Sequence, residues 1–288
     1  NVWMVTERLY LAPELGNLDP ASVQLVEYPS ASEVLRAYRN QAIDGMVISL
    51  DELFGLAEDG YDPRIILVVD VSNGADVVVG RPGMRSMKDL KGKSVAVESS
   101  ALGPFVLSRA LAVSGMQASD VNVVHLESNE QTGAYEKGQV DAAVTFDPYR
   151  AQFLRAGAAT LFDSTQIPGE IVDLLAVRQT ALDRHPMAIE TLLTGWFDAL
   201  DYLKKDPNDA ARRMGIRQQR SGEEFLAGLK GLHVPTREEN LRMIGGSSPE
   251  LASTGRRLMT LMVDAKLLRG GIDIERVLAP GPLASLMR

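Results

Sequence analysis

The first two-thirds of the chain alternates short apolar runs with stretches of helical spacing. The runs Asp44–Ser49, Arg64–Val71, Asp76–Gly80, Ser94–Glu98, Val121–Leu126, Asp141–Phe146, Ala159–Phe162 and Asp173–Val177 predict strands. Asn1–Val5 and Val23–Tyr28, the latter bounded by Pro20 and Pro29, predict two more. Helix starts are marked between them. Ser30 with Glu33 and Ser49 with Glu52 have the spacing at which a hydroxyl and a carboxylate satisfy each other's backbone N–H groups. Ser128 with Gln131 opens another helix, and Asp147 is placed to cap the one that begins at Pro148. Gly60, Gly138 and Gly157 supply stops. Strands alternating with helices predict β–α units and a parallel sheet. From Thr180 the pattern becomes helix after helix. Ile189, Leu192, Leu193, Trp196, Phe197, Leu200 and Leu203 form one stripe, which reads Trp196 as core.

One sheet does not accommodate this pattern. Ser72-Asn73-Gly74 interrupts an apolar run and reads as a crossing between lobes, with Ile171–Arg178 as the return. The expected organisation is α/β and two-lobed: 1–74 with 176–288 form lobe 1, including the C-terminal helices, and 75–175 form an inserted lobe 2. A cleft then lies between the lobes, where loops at strand ends bind ligands.

Composition narrows the function. The chain has 288 residues and net charge −8, without a long basic run, which argues against nucleic acid as a partner. Cysteine is absent, so disulfides, thiolate metal sites and cysteine nucleophiles are excluded. The three histidines, His125, His185 and His233, are far apart and form no metal-ligand pair. No cofactor or metal is expected.

Residues 86–111 carry the densest site signal: a strand to Glu98, a turn of Ser99, Ser100, Ala101 and Gly103, and a helix from Pro104. Such a helix start directs unpaired N–H groups at a ligand; the alternative is an ordinary β–α connection. Loop positions supply the other candidates. Trp3, Thr6 and Glu7 follow the first predicted strand, where Trp3 either stacks on a ligand or packs in the core. Ser49 and Asp51 follow the third, where Asp51 faces the cleft or favours the helix dipole. Asn73 and Asp76 lie at the crossing, Glu98, Ser99, Ser100 and Leu102 in the central turn, and Asp147 and Glu170 at later loop ends. Asp51, Asp76, Glu98, Asp147 and Glu170 are all acidic. Burying unpaired carboxylates beside an oxyanion costs several kcal/mol, so this sign favours an amine, an amidine, a pyrimidine or a zwitterion.

RLYLAPELG (8–16), VEYPSASEVLRAYRNQAIDGMVISLDE (26–52), ILVVDVSNGADVVVGRPGMRSMKDLKGKSVAVE (66–98), KGQVDAAVTFDPYR (137–150) and FDSTQIPGEIVDLLAVR (162–178) together resemble the extracytoplasmic solute-binding proteins of ABC importers. The resemblance is to the branch for taurine, alkanesulfonates, nitrate and thiamine-pyrimidine precursors. The turn that reads Trp-Pro-Gly-Tyr in many relatives is Trp3-Met4-Val5-Thr6 here. The resemblance implies a type II periplasmic-binding fold that closes by hinge motion on a small solute, such as a taurine-type or thiamine-precursor-type ligand. It also implies a monomer that docks on a membrane permease, in a periplasmic or other extracytoplasmic location, with a signal segment outside this sequence and with or without a lipid anchor. A ligand-sensing module of a signalling system is the alternative. An enzyme is not expected, because the pyrimidine synthases that resemble this branch use a cysteine-rich motif.

Overall fold

The computed structural model describes residues 3–100 and 102–287; Asn1, Val2, the turn residue Ala101 and Arg288 lie outside them. The strands are β1 (Gly45–Ser49), β2 (Pro63–Ser72), β3 (Val77–Gly80), β4 (Ser94–Val97), β5 (Asn122–His125), β6 (Ala142–Thr145), β7 (Ala159–Asp163), β8 (Val172–Arg178) and β9 (Leu232–His233). The helices up to the return crossing are α1 (Glu7–Glu14), α2 (Ala31–Arg39), α3 (Leu50–Glu58), α4 (Leu102–Val113), α5 (Ser128–Glu136) and α6 (Tyr149–Arg155). The helical tail is α7 (Gln179–Arg184), α8 (Pro186–Lys205), α9 (Pro207–Arg217), α10 (Gly222–Leu229), α11 (Arg237–Ile244), α12 (Glu250–Asp264), α13 (Ile274–Val277) and α14 (Gly281–Ser285).

Two sheets form, ordered β1-β8-β2-β9 and β5-β4-β6-β3-β7. Neither is the all-parallel sheet that the pattern predicts. β1 and β2 run the same way, as a strand–helix–strand unit requires, but β8 lies between them antiparallel to both. β4 is parallel to β5 and β6, and β3 is antiparallel to β6 and β7. The strand arriving from the other lobe is thus reversed in each sheet, and in the first sheet β9, also antiparallel to β2, runs with it. β8 pairs in the first sheet along its whole length, so the boundary expected at 175/176 falls inside it.

The crossing is tied down by small polar groups. Ser72 N–H donates to Ile171 O at 3.0 Å and Asn73 N–H to Gly231 O at 2.8 Å. The hydroxyls of Ser72 and Ser164 meet at 2.7 Å, and Ser164 also accepts the Gly74 N–H at 2.6 Å. β9 adds to β2 beside the crossing through Val71↔His233 and Ser72↔Leu232, so the helical tail is sewn to the hinge.

Two predicted strands do not form among the described residues, Asn1 and Val2 of the first lying outside them. Met4–Thr6 is a turn of 3-10 helix in which Thr6 Oγ1 donates to Trp3 O at 2.6 Å. Val23–Tyr28 has strand spacing but no ladder among the described residues, and a groove of about 1600 Å³, solvent included, lies between it and the β1 edge. Val26 remains 50% exposed there. The helix starts match the spacing more closely. Ser49/Glu52, Ser221/Glu224 and Thr236/Glu239 close reciprocally, while Ser30 accepts the Glu33 N–H at 3.3 Å. α5 is capped one residue earlier than expected, by Glu127 with Glu130. Trp196 is fully buried in the largest apolar cluster, as its stripe predicts.

Candidate functional site

Two adjoining cavities mark where the lobes face each other. The larger, about 410 Å³ with the solvent at its mouth, is lined by Trp3, Asp70, Asp76, Phe146, Asp173 and Gly228, among others. The second, about 320 Å³, shares Trp3, Asp76, Leu102 and Phe146 and adds Glu52, Glu98, Ser100 and Ser128. Trp3 and Phe146 meet edge to face, with ring centres 6.3 Å apart and an 85° interplanar angle. Trp3 therefore both packs and presents a ring to the cleft.

The charge of the site comes from the ends of the first-sheet strands. Ser49 on β1, Asp173 on β8 and Asp70 on β2 stand in one register, so two carboxylates face each other across neighbouring strands. Like charges in that arrangement repel. Oδ1 of Asp173 is buried without a hydrogen-bond partner, and Asp70, equally buried, has only the facing Asp173 carboxyl to share a hydrogen bond with. Asp51 Oδ2 and Glu52 Oε1, from the first turn of α3, are buried without a partner as Asp173 Oδ1 is. Burial pushes Asp51 up to about 7 and Glu52 to about 8, with Asp76 and then Asp51, respectively, adding repulsion. Burial and the charge of Asp76 push Asp70 to about 7, against the pull of Arg8. Asp76, at 8% exposure, is raised to about 6 by burial. Burial, reinforced by Asp70, Asp76, Glu52 and Asp51, raises Asp173 well above the usual carboxylate range. Arg8, buried on α1, is the cation that offsets Asp70, and burial lowers it to about 10. Among the described residues no lysine or arginine pairs with Asp51, Glu52, Asp76 or Asp173. The result is a cavity whose polar wall holds acidic side chains in excess of basic ones, with carboxyls that burial keeps protonated well above their usual range.

The candidates from sequence divide accordingly. Trp3, Asp76, Glu98, Ser100 and Leu102 line the cavities, and so does Asp147. Asp147 does not cap a helix: Pro148 takes the cap position of α6, and Asp147 pairs with Arg220 at 3.4 Å. Ser49 and Asp51 are buried just behind the cavity wall, with Ser49 N–H on Glu52 Oε2 at 3.1 Å. Five others do not converge on the site. Glu7 is held by Arg217 and Gln218 at 3.0 and 2.7 Å. Thr6 lines the groove beside Val23–Tyr28. Glu170 forms a bidentate pair with Arg109 at 2.6 and 3.1 Å, and Asn73 is exposed, with its N–H spent on the hinge. Ser99 is exposed and outside both linings.

Sequence reasoning missed Asp70, Asp173, Phe146 and Gly228. The two aspartates carried a usable signal, since each is the lone acid in an otherwise apolar strand, PRIILVVDVS and VDLLAVR. Gly228 carried none: it reaches the cavity only because α10 folds back against Met4, where an added Cβ would lie 2.5 Å from the sulfur.

Such a cavity between two sheets, each receiving one reversed strand from the other lobe, is the architecture of a type II periplasmic-binding protein. Residues 14–215 match the NMT1-like family, and the chain belongs to it. It is an ABC-importer solute-binding protein of the taurine and alkanesulfonate branch. It is 25% identical over 273 residues to a protein of Escherichia coli K12 provisionally named an aliphatic sulfonates-binding protein, covering 91% of this chain and 81% of the relative. The alkanesulfonate-binding protein SsuA from Xanthomonas axonopodis pv. citri, solved with MOPS bound, superposes with a TM-score of 0.79 at 19% identity, covering 96% of this chain and 95% of that one. The desulfurization enzyme DSZB shares the fold at a TM-score of 0.71 and 14% identity, covering 97% of this chain and 95% of that one.

Proposed function

We propose that this protein captures a small solute bearing a protonated nitrogen and delivers it to the membrane permease of an ABC importer outside the cytoplasm. The observation that carries the ligand class is the set of buried carboxylates short of partners, Asp70 and Asp173 foremost, aimed into a cavity rimmed by Trp3 and Phe146. An amine or amidine there gains hydrogen bonds and charge neutralisation together, while an aromatic wall favours a flat or cationic group. A plain alkanesulfonate would add a further anion. A zwitterion of the taurine type fits if its amine points to Asp70 and Asp173 and its sulfonate to the start of α4.

Closure about the Ser72–Asp76 and Ile171–Val172 crossings couples capture to delivery, with roughly residues 75–171 moving as one body. Ligand preference for the closed form is the energy that drives this step. We propose that the protein does no chemistry, in keeping with the binding proteins it is similar to. A monomer suits this role, and a signalling partner in place of a permease would leave the capture step unchanged.

A thermal-shift screen of pentylamine, a 4-aminopyrimidine, taurine and methanesulfonate tests the reading. The nitrogen-bearing compounds are expected to raise Tm and methanesulfonate to leave it unchanged. A shift with methanesulfonate and none with the others overturns it.

A further inference from the structure

Glu98 is the one site carboxylate with a full set of donors. It directly follows β4 in lobe 2, yet its Oε1 accepts the N–H groups of Ala31 at 2.9 Å and Ser32 at 3.3 Å, which open α2 in lobe 1. Its Oε2 accepts from the hydroxyl of Ser128, the first residue of α5. The side chain is 6% exposed. A helix start with free N–H groups and a hydroxyl opposite is a socket for an oxyanion. The Ser32 hydroxyl, buried beside it without a partner, adds another donor to that socket. A carboxylate from the opposite lobe fills the socket.

We propose that Glu98 is the specificity-determining residue of the cleft, an internal anion that occupies the oxyanion socket at the α2 start and so excludes sulfonate, sulfate and carboxylate groups from it. The proposal deepens the reading of this cleft as a solute site. The same contact spans both lobes, so it also holds the cleft shut at this end. A solute anion can enter only by displacing Glu98, and it would then meet the charges of Glu52 and Glu127, which already act on the carboxylate in this socket. Ser128 is the positioning partner: it orients the carboxylate from within lobe 2, while Ala31 and Ser32 hold it from lobe 1.

The test uses Glu98→Ala, which empties the socket, and Glu98→Gln, which keeps its shape and removes the charge. Methanesulfonate and sulfate are titrated by calorimetry, and the distance between spin labels on the two lobes is measured without solute. Glu98→Ala is expected to bind methanesulfonate at least about tenfold more tightly than wild type, with a longer distance between the lobes. Glu98→Gln is expected to show a smaller gain in the same direction, and it decides the matter if the alanine variant does not fold. Oxyanion affinity unchanged from wild type in the folded variants overturns the proposal. Failure of the amine reading shows elsewhere, as a wild-type protein that ignores pentylamine, and leaves the Glu98 result standing.

Discussion

At the scale of single residues, the site is defined by acids short of partners. Asp173 is the extreme case, because the charges that act on it, Asp70, Asp76, Glu52 and Asp51, are all carboxylates. Its pKa is raised on folding, so its stabilising contribution is complete below the unfolded value of 3.8 and is lost as pH climbs through the raised folded value. Asp173→Asn removes that loss and gives Asp70 an amide donor. Its Tm is expected to exceed that of wild type by about 2–6 °C at pH 8, with little difference at about pH 3, in a calorimetric scan of the ligand-free protein. Asp76 is shared by both cavities. Removing one partner of a buried charge pair costs about 2–5 kcal/mol, so Asp76→Asn is expected to weaken amine binding at least about 30-fold. Titration calorimetry in buffers of different protonation heat checks this and shows proton release on binding by wild type near pH 7, since a bound cation drives the raised carboxyls to ionise. The acidic sign of the site was legible in Asp51, Asp76, Glu98 and Asp147. Glu7 and Glu170 misled because their partners, Arg217 and Arg109, are 210 and 61 residues distant in sequence. Spacing cannot show a pairing of that kind.

At the scale of elements, the hinge depends on a close approach from the tail. A Cβ on Gly231 would lie 2.7 Å from Ala75 N and 2.9 Å from Gly74 C, both backbone atoms that cannot step aside. Gly231→Ala is therefore expected to push β9 off the crossing and to destabilise the fold by about 1–3 kcal/mol, measured by urea unfolding. Solute affinity should fall with it, because the crossing no longer sets where Asp76 points. The helices were legible almost to the residue wherever a hydroxyl and a carboxylate stood at capping distance, because that signal is local. Strand partners were not. Whether β8 would lie between β1 and β2 depends on a connection of about a hundred residues, and hydrophobic spacing is the same for either direction. Val23–Tyr28 shows the remaining gap, since alternation marks a stretch as fit for a ladder and does not provide the ladder.

For the whole molecule, the two-lobed architecture was readable because its boundary leaves a mark in the chain: small polar residues at Ser72-Asn73-Gly74 break an apolar run. Solute should close the lobes further about that point. Small-angle scattering is expected to show a smaller radius of gyration with pentylamine than without, and identical curves would count against closure.

The unladdered edge of β1 has a practical side. Five residues of backbone, Gly45–Ser49, have β8 on one flank and an oily trench on the other. That is an adhesive strip. Solutions of these 288 residues are expected to scatter more light with rising concentration than those of a Val26→Lys variant, and equal scattering would count against pairing at this rim. A lysine in place of Val26 would make the rim less sticky without touching the cleft.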